Sequence, residues 1–237
     1  MDGQAFRLRS RSKQRKHKRE ASKLSRHRKP DELSLEAWQI ELRRQFGREQ
    51  TFRLKNLGDE PIFSEFEVAN PATKRTYRVA IRGREPGDNF CSCPDFATNT
   101  LGTCKHIEFT LATLERKRGG KEGLQGRFQP EYSEVFLHYG SRREVRFRPG
   151  QDCPVELARL GSRYFDSDGV LLPDSFARFD EFLAKAARVE HELRCQEDVL
   201  GFVAEVRDAD QRRQRIAEAF PKGIKSKAFN HLLKATL

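Results

Sequence analysis

A chain of 237 residues, 36% hydrophobic and 34% charged, can bury a core without cross-links and divides most naturally into one or two domains. No apolar run approaches the roughly eighteen residues of a membrane span, and no apolar stretch follows the basic N-terminus, so a soluble, cytoplasmic protein is expected. The five cysteines are odd in number and lack paired spacing, which speaks against a secreted disulfide framework and for a reducing compartment.

The formal net charge of +11 is unevenly placed: residues 1–30 hold twelve Lys/Arg against Asp2 and Glu20, giving +10 and leaving +1 for everything after. Past Met1 the large apolar residues of this tail are Phe6, Leu8 and Leu24, too few to offset its ordering entropy, so it is expected to be unstructured when alone. It reads either as a solvated segment or as a phosphate contact. In the second case Arg7, Arg9, Arg11, Lys13, Arg15, Lys16, Lys18, Arg19, Arg26, Arg28 and Lys29 are the candidate nucleic-acid-binding residues.

Ser34 can cap a helix whose Leu35, Trp38, Leu42 and Phe46 recur at three- and four-residue steps, with Glu36 in the first turn and Gly47 as its expected end. From residue 51 the period changes to two. FRL, FSEFEVAN and KRTYRVAIRG read as strands, and Asn70-Pro71-Ala72-Thr73 as the turn of a hairpin at about 62–82. A second hairpin is expected from EVFLHY and EVRFR around Gly140. The C-terminal third reads as helical, with one stripe of Phe176, Phe179, Phe182, Leu183 and Ala186 and another of Leu200, Phe202, Val203 and Val206. Lys222, Lys225 and Lys227 form a small basic patch read as solvated surface.

Between the first hairpin and the next helical stretch lies Cys91-x-Cys93, ten residues, then Cys104-x-His106. Around tetrahedral zinc with Zn–S near 2.3 Å, neighbouring sulfurs sit roughly 3.7 Å apart. Two cysteines one residue apart on an extended chain leave the same face, so a slight bend brings their sulfurs together. Positions i and i+2 inside a helix point about 200° apart, so Cys104 and His106 must straddle a helix start. Thr103 is a plausible cap, followed by a buried stripe of Ile107, Leu111 and Leu114. Three thiolates and a neutral imidazole leave a zinc centre at about −1, which Lys105 can partly offset, and Phe96 can pack over the site. Four protein ligands leave no open position, so a structural rather than catalytic Zn2+ is expected. His138, His191 and His231 lack comparable neighbours and read as surface or core histidines, and Cys153 and Cys195 as small buried hydrophobes.

Cys91, Cys93, Cys104 and His106 fit every ligand position of the SWIM-type zinc finger, which the segment resembles; Phe96, Gly102, Lys105 and Ile107 fit its usual neighbours. That resemblance, within residues 60–116, implies a strand pair followed by a helix and a role in binding DNA or proteins. Over about Phe52 to Leu237 the chain also resembles the region ahead of the ATPase core in bacterial Swi2/Snf2-family helicase-like proteins, the ending AFNHLLKATL being similar to the entrance to that core. The departure is the absence of a G-x-x-x-x-G-K-[ST] loop: RGGKEG at 118–123 lacks its glycine spacing and its hydroxyl. With no other catalytic constellation recognisable, no enzyme activity is expected of this chain.

The fold class expected is α+β: a basic tail over 1–30, a helix, hairpin and small ββα zinc-finger module over 31–125 with its core at 60–118, then a hairpin and mostly helical accessory region over 126–237. Two functions follow. One is a zinc-binding accessory module for DNA, partnered by a Snf2-type ATPase and favoured by the tail. The other is a zinc-stabilised protein-interaction module, favoured by the near-neutral remainder.

Overall fold

In the computed structural model, which describes residues 23–220, Ser34 begins the first helix, α1 (Leu35–Glu49), its hydroxyl accepting from Ala37 N at 3.1 Å. The helix does not stop at Gly47 but runs two residues further, and Gln50 closes it. Gly47 has a different use. It is the residue of α1 that is fully buried, and a Cβ there would lie 2.7 Å from Phe109 N, so the missing side chain lets α1 lie directly on a later helix. Residues 23–30, expected to be unstructured, lie against α1: Leu24 N donates to Gln45 Oε1 at 2.7 Å and Trp38 Nε1 to Ser25 O at 3.1 Å.

Strands β1 (Arg53–Asn56), β2 (Glu65–Asn70), β3 (Arg75–Ala80) and β4 (Phe90–Cys91) form an antiparallel sheet in that order. The register sets Leu54 opposite Val68, Val68 opposite Tyr77, and Phe66 opposite Val79, so the alternation read in the sequence delivers one apolar face. The β2–β3 turn is held by Asn70 Oδ1, which accepts from Ala72 N at 2.9 Å. Helices α2 (Pro94–Thr98), α3 (Lys105–Arg116) and α4 (Gly120–Gln125) follow. Phe66, Val68, Val79, Ile81, Ile107 and Leu114 form the heart of this first core. Each such side chain contributes about 1.5–3 kcal/mol by leaving water.

A second sheet is built from β5 (Ser133–Tyr139) and β6 (Arg143–Arg148), the expected hairpin, and from β7 (Leu193–Cys195), which pairs parallel to β5. Helices α5 (Val155–Gly161), α6 (Phe179–Ala186) and α7 (Glu197–Ala219) cover it, with Leu157, Phe179, Phe182, Val199 and Val203 buried. On α7 the buried seam is Val199 and Val203; Leu200, assigned to that stripe from sequence, faces solvent. His191 is a packing residue here, its Nε2 lying 3.1 Å from Ser133 N and 2.9 Å from Ser133 Oγ at the start of β5.

The architecture is thus α+β, with seven α-helices and two sheets among the described residues. Two features join the cores. Fully buried Glu134 on β5 takes Arg148 at 2.8 Å and Arg82, beyond β3, at 3.4 Å. Tyr139, at the end of β5, packs against both cores. None of the described helices is long and apolar enough to cross a membrane.

Candidate metal centre

Four backbone devices bring the cysteines and the histidine together. Cys91 ends β4 opposite Val79, and Ser92 extends that pairing, its N donating to Arg78 O at 3.0 Å while its hydroxyl accepts from Arg78 N at 2.9 Å. The chain then leaves the sheet, and Cys93 becomes the N-cap of α2, its sulfur accepting from Phe96 N at 3.4 Å. After ten intervening residues Cys104, extended at φ −150° and ψ 171°, is the N-cap of α3. His106 therefore sits in the first turn of that helix, where i and i+2 can converge as the spacing required. The cap itself differs from expectation. Thr103 stands one residue earlier, and its hydroxyl donates to Glu108 Oε1 at 2.8 Å.

The four residues are buried, and their ligand atoms lie within 4.8 Å of one another. His106 Nδ1 is 3.8 Å from Cys91 Sγ and 3.9 Å from Cys104 Sγ. Edges of roughly 3.7 Å are what a tetrahedron with metal–sulfur bonds of about 2.3 Å requires, so the donor set fits one tetrahedral ion with small adjustment. Nδ1 rather than Nε2 faces the sulfurs. The ring is held in that orientation between Tyr77 and Phe52, at centroid distances of 4.6 and 5.3 Å.

Three sulfurs this close cannot all carry charge without a cation. Hydrogen bonding with Cys104 and Cys93 pushes the Cys91 thiol far up, while bonds from Cys104 and Cys91, with help from Phe96 N–H, hold Cys93 far down. Burial keeps Cys104 up. The sulfurs thus compete for charge among themselves, and a bound dication would let all three be deprotonated.

Helix α1 braces this arrangement through contacts that the sequence did not disclose. Arg43 grips Asp95 of α2 with two bonds, Nη2 to Oδ1 at 2.7 Å and Nε to Oδ2 at 3.2 Å. Arg44 Nε approaches Glu108 of α3 at 3.6 Å. Arg43 and Asp95 are 52 positions apart, so no local spacing could have paired them. The stretch between α2 and α3 is shaped by Asn99, which donates to Thr103 O at 3.2 Å and accepts from Leu101 N at 2.8 Å. Gly102 (φ +66°) ends it, where a Cβ would fall 2.2 Å from Tyr139 O. Phe96 is buried in the same core as the three cysteines, and its ring meets Tyr139 at 4.4 Å.

The other candidates fall elsewhere. Lys105 lies beside the ligands with its ammonium 5.6 Å from the centre of the Phe46 ring. Arg26 pairs with Glu49 at 3.4 Å, Lys29 Nζ donates to Leu33 O at 2.6 Å, and Arg28 is exposed. Arg7, Arg9, Arg11, Lys13, Arg15, Lys16, Lys18 and Arg19 lie outside the described residues, as do Lys222, Lys225, Lys227, His231 and the AFNHLLKATL ending. His138 sits between Asp88 and Glu144, 3.9 Å from each. Cys153 and Cys195 are half-buried on the rim of the second core. No protein-family model matches the chain, nor does any curated protein or any solved structure.

Proposed function

We propose that Cys91, Cys93, Cys104 and His106 hold one structural zinc ion, that β2, β3 and α3 around it make a SWIM-type ββα module, and that the module serves in DNA binding as an accessory to a separate Swi2/Snf2-type ATPase. The observation that carries the reading is the burial of three sulfurs and one imidazole nitrogen within 4.8 Å of one another. Such a donor set suits zinc above the harder cations, which take oxygen ligands, and four protein donors complete its preferred tetrahedron. The zinc supplies no bond-making chemistry here; it supplies the cation that lets the sulfurs stay deprotonated and close. The DNA reading draws its support from the basic residues before position 30 and from the resemblance of the four ligands and their neighbours to that finger.

Elemental analysis of reduced, natively purified protein should find one zinc per chain. Structural zinc contributes on the order of 10 kcal/mol to small modules, so Cys104→Ala should abolish the metal and unfold residues near 89–118. A zinc-free protein of unchanged stability sinks the metal reading. Retention of DNA by the full chain should fall with salt, and should weaken when the eight cations from Arg7 to Arg19 are changed to glutamine. Absence of DNA retention at low salt would turn the reading toward protein docking, which the near-neutral remainder of the chain favours.

A further inference from the structure

We infer that the DNA contact of this module is a composite strip in which Lys23, Arg26 and Arg28, at the inner end of the basic segment, join Lys105 beside the metal ligands to bind the phosphate backbone. The inference rests on the DNA-binding reading above and deepens it, because it makes the start of α3, between Cys104 and His106, part of the contact surface.

Residues 23–30 are seated at one place on α1 by the bonds from Leu24 N to Gln45 and from Trp38 Nε1 to Ser25 O. Ser25 Oγ accepts from His27 N at 3.2 Å and Arg28 N at 3.0 Å, which curls the chain there. This seating puts the Arg26 guanidinium 5.3 Å from the centre of the Phe46 ring, the same ring that holds the Lys105 ammonium at 5.6 Å. The two cations are therefore no more than about 11 Å apart. Roughly three steps of a strand's 3.4 Å rise cover that span.

The strip has excess positive charge. Lys23 and Arg26 both pair with the one carboxylate of Glu49, at 2.9 and 3.4 Å, and their side chains remain 78% and 57% exposed. A carboxylate shared by two cations leaves one charge over, to which Lys105 and Arg28 add two more. Phosphates fit such a surface because each is a compact anion whose contact with Lys or Arg releases a condensed counterion. Lys105 is also fixed in place. It is the first residue of α3, between Cys104 and His106, so a bound metal would immobilise its backbone and spare much of the ordering cost that a free basic tail meets on binding.

The salt dependence of binding to a short mixed-sequence duplex, measured on the full chain, tests this. Each lost phosphate contact reduces the slope of log K against log salt by about 0.9. Lys105→Ala and Arg26→Ala should each lower it by about that amount and the double variant by about twice as much, with zinc content unchanged. Lys105→Arg should restore the wild-type slope. A double variant with the wild-type slope, beside a loss when the cations from Arg7 to Arg19 become glutamine, overturns the composite strip while leaving the DNA reading intact. Failure of Lys105→Arg to restore the slope assigns Lys105 a packing role and also overturns it. A wild-type chain that does not bind the duplex at all defeats the DNA reading first.

Discussion

Two residues outside the Cys/His cluster set how the structure tolerates change. Gly47 is where α1 touches α3 backbone to backbone. Gly47→Ala would gain up to about 1 kcal/mol in helix propensity but place a methyl 2.7 Å from Phe109 N and 2.9 Å from Glu108 Cβ. Overpacking of that kind costs about 1–3 kcal/mol, so the variant should be less stable by about 1–2 kcal/mol in urea titration. A variant as stable as wild type would mean that the helices can part at no cost. His138 supplies a pH signature. Burial pushes its imidazole below the ordinary histidine value, Arg146 adds to this, and Asp88 and Glu144 oppose it. A base whose folded pKa is depressed stabilises the fold above its unfolded value, near 6.5, and that contribution is lost as pH falls through the folded value. His138→Gln should therefore lose less stability than wild type between about pH 7.5 and about pH 5.5. Acid release of the proposed metal would be common to both proteins and cancel in the difference; parallel slopes would contradict the assignment.

At the scale of elements, α1 is a brace for the stretch that carries the Cys/His cluster. Arg43 and Asp95 form a two-bond guanidinium–carboxylate pair that ties α2, which begins at Cys93, to α1. The two side chains are partly exposed, so a double-mutant cycle with Arg43→Ala and Asp95→Ala should give a coupling of about 0.5–1 kcal/mol in stability. Both singles should weaken metal retention against a chelator; a coupling near zero would reduce the pair to surface ornament. What could be read in advance follows the range of the interactions. The hairpins, the helix start at Ser34 and the convergence of Cys91, Cys93, Cys104 and His106 all depend on neighbours within about fifteen residues, where alternation, caps and spacing speak directly. Gly47 as a contact and β7 beside β5 depend on which distant surface arrives, and three-residue strands carry almost no periodicity. The outward turn of Leu200 has the same cause: Val199 and Val203 face the sheet, and only the packing partner decides between adjacent stripes.

Across the whole molecule Tyr139 connects the Cys/His cluster's stretch to the far helices. Its ring lies on Phe96, its hydroxyl donates to Asp198 of α7 at 2.7 Å, and its N donates to Gly87 O at 2.9 Å, while Gly87 N donates to Gly102 O at 2.9 Å. Tyr139→Phe keeps the ring and deletes the bond to a carboxylate, a loss of about 1–2 kcal/mol. Hydrogen exchange read during chelation should spread in wild type from the ligand segment to the first turn of α7 and stop at β5 in the variant. Confinement of the wild-type change to residues 89–118 would show that the halves do not communicate. The parallel pairing of β7 with β5 has a consequence in time. All four residues of the Cys/His cluster have been made by residue 106, whereas the strand that completes the second sheet comes only at Leu193–Cys195. On a ribosome the first half can assemble its Cys/His cluster while β5 still waits for its neighbour, so, with the ion proposed above, nascent chains halted between those points should already hold metal yet leave an open strand for chaperones to guard.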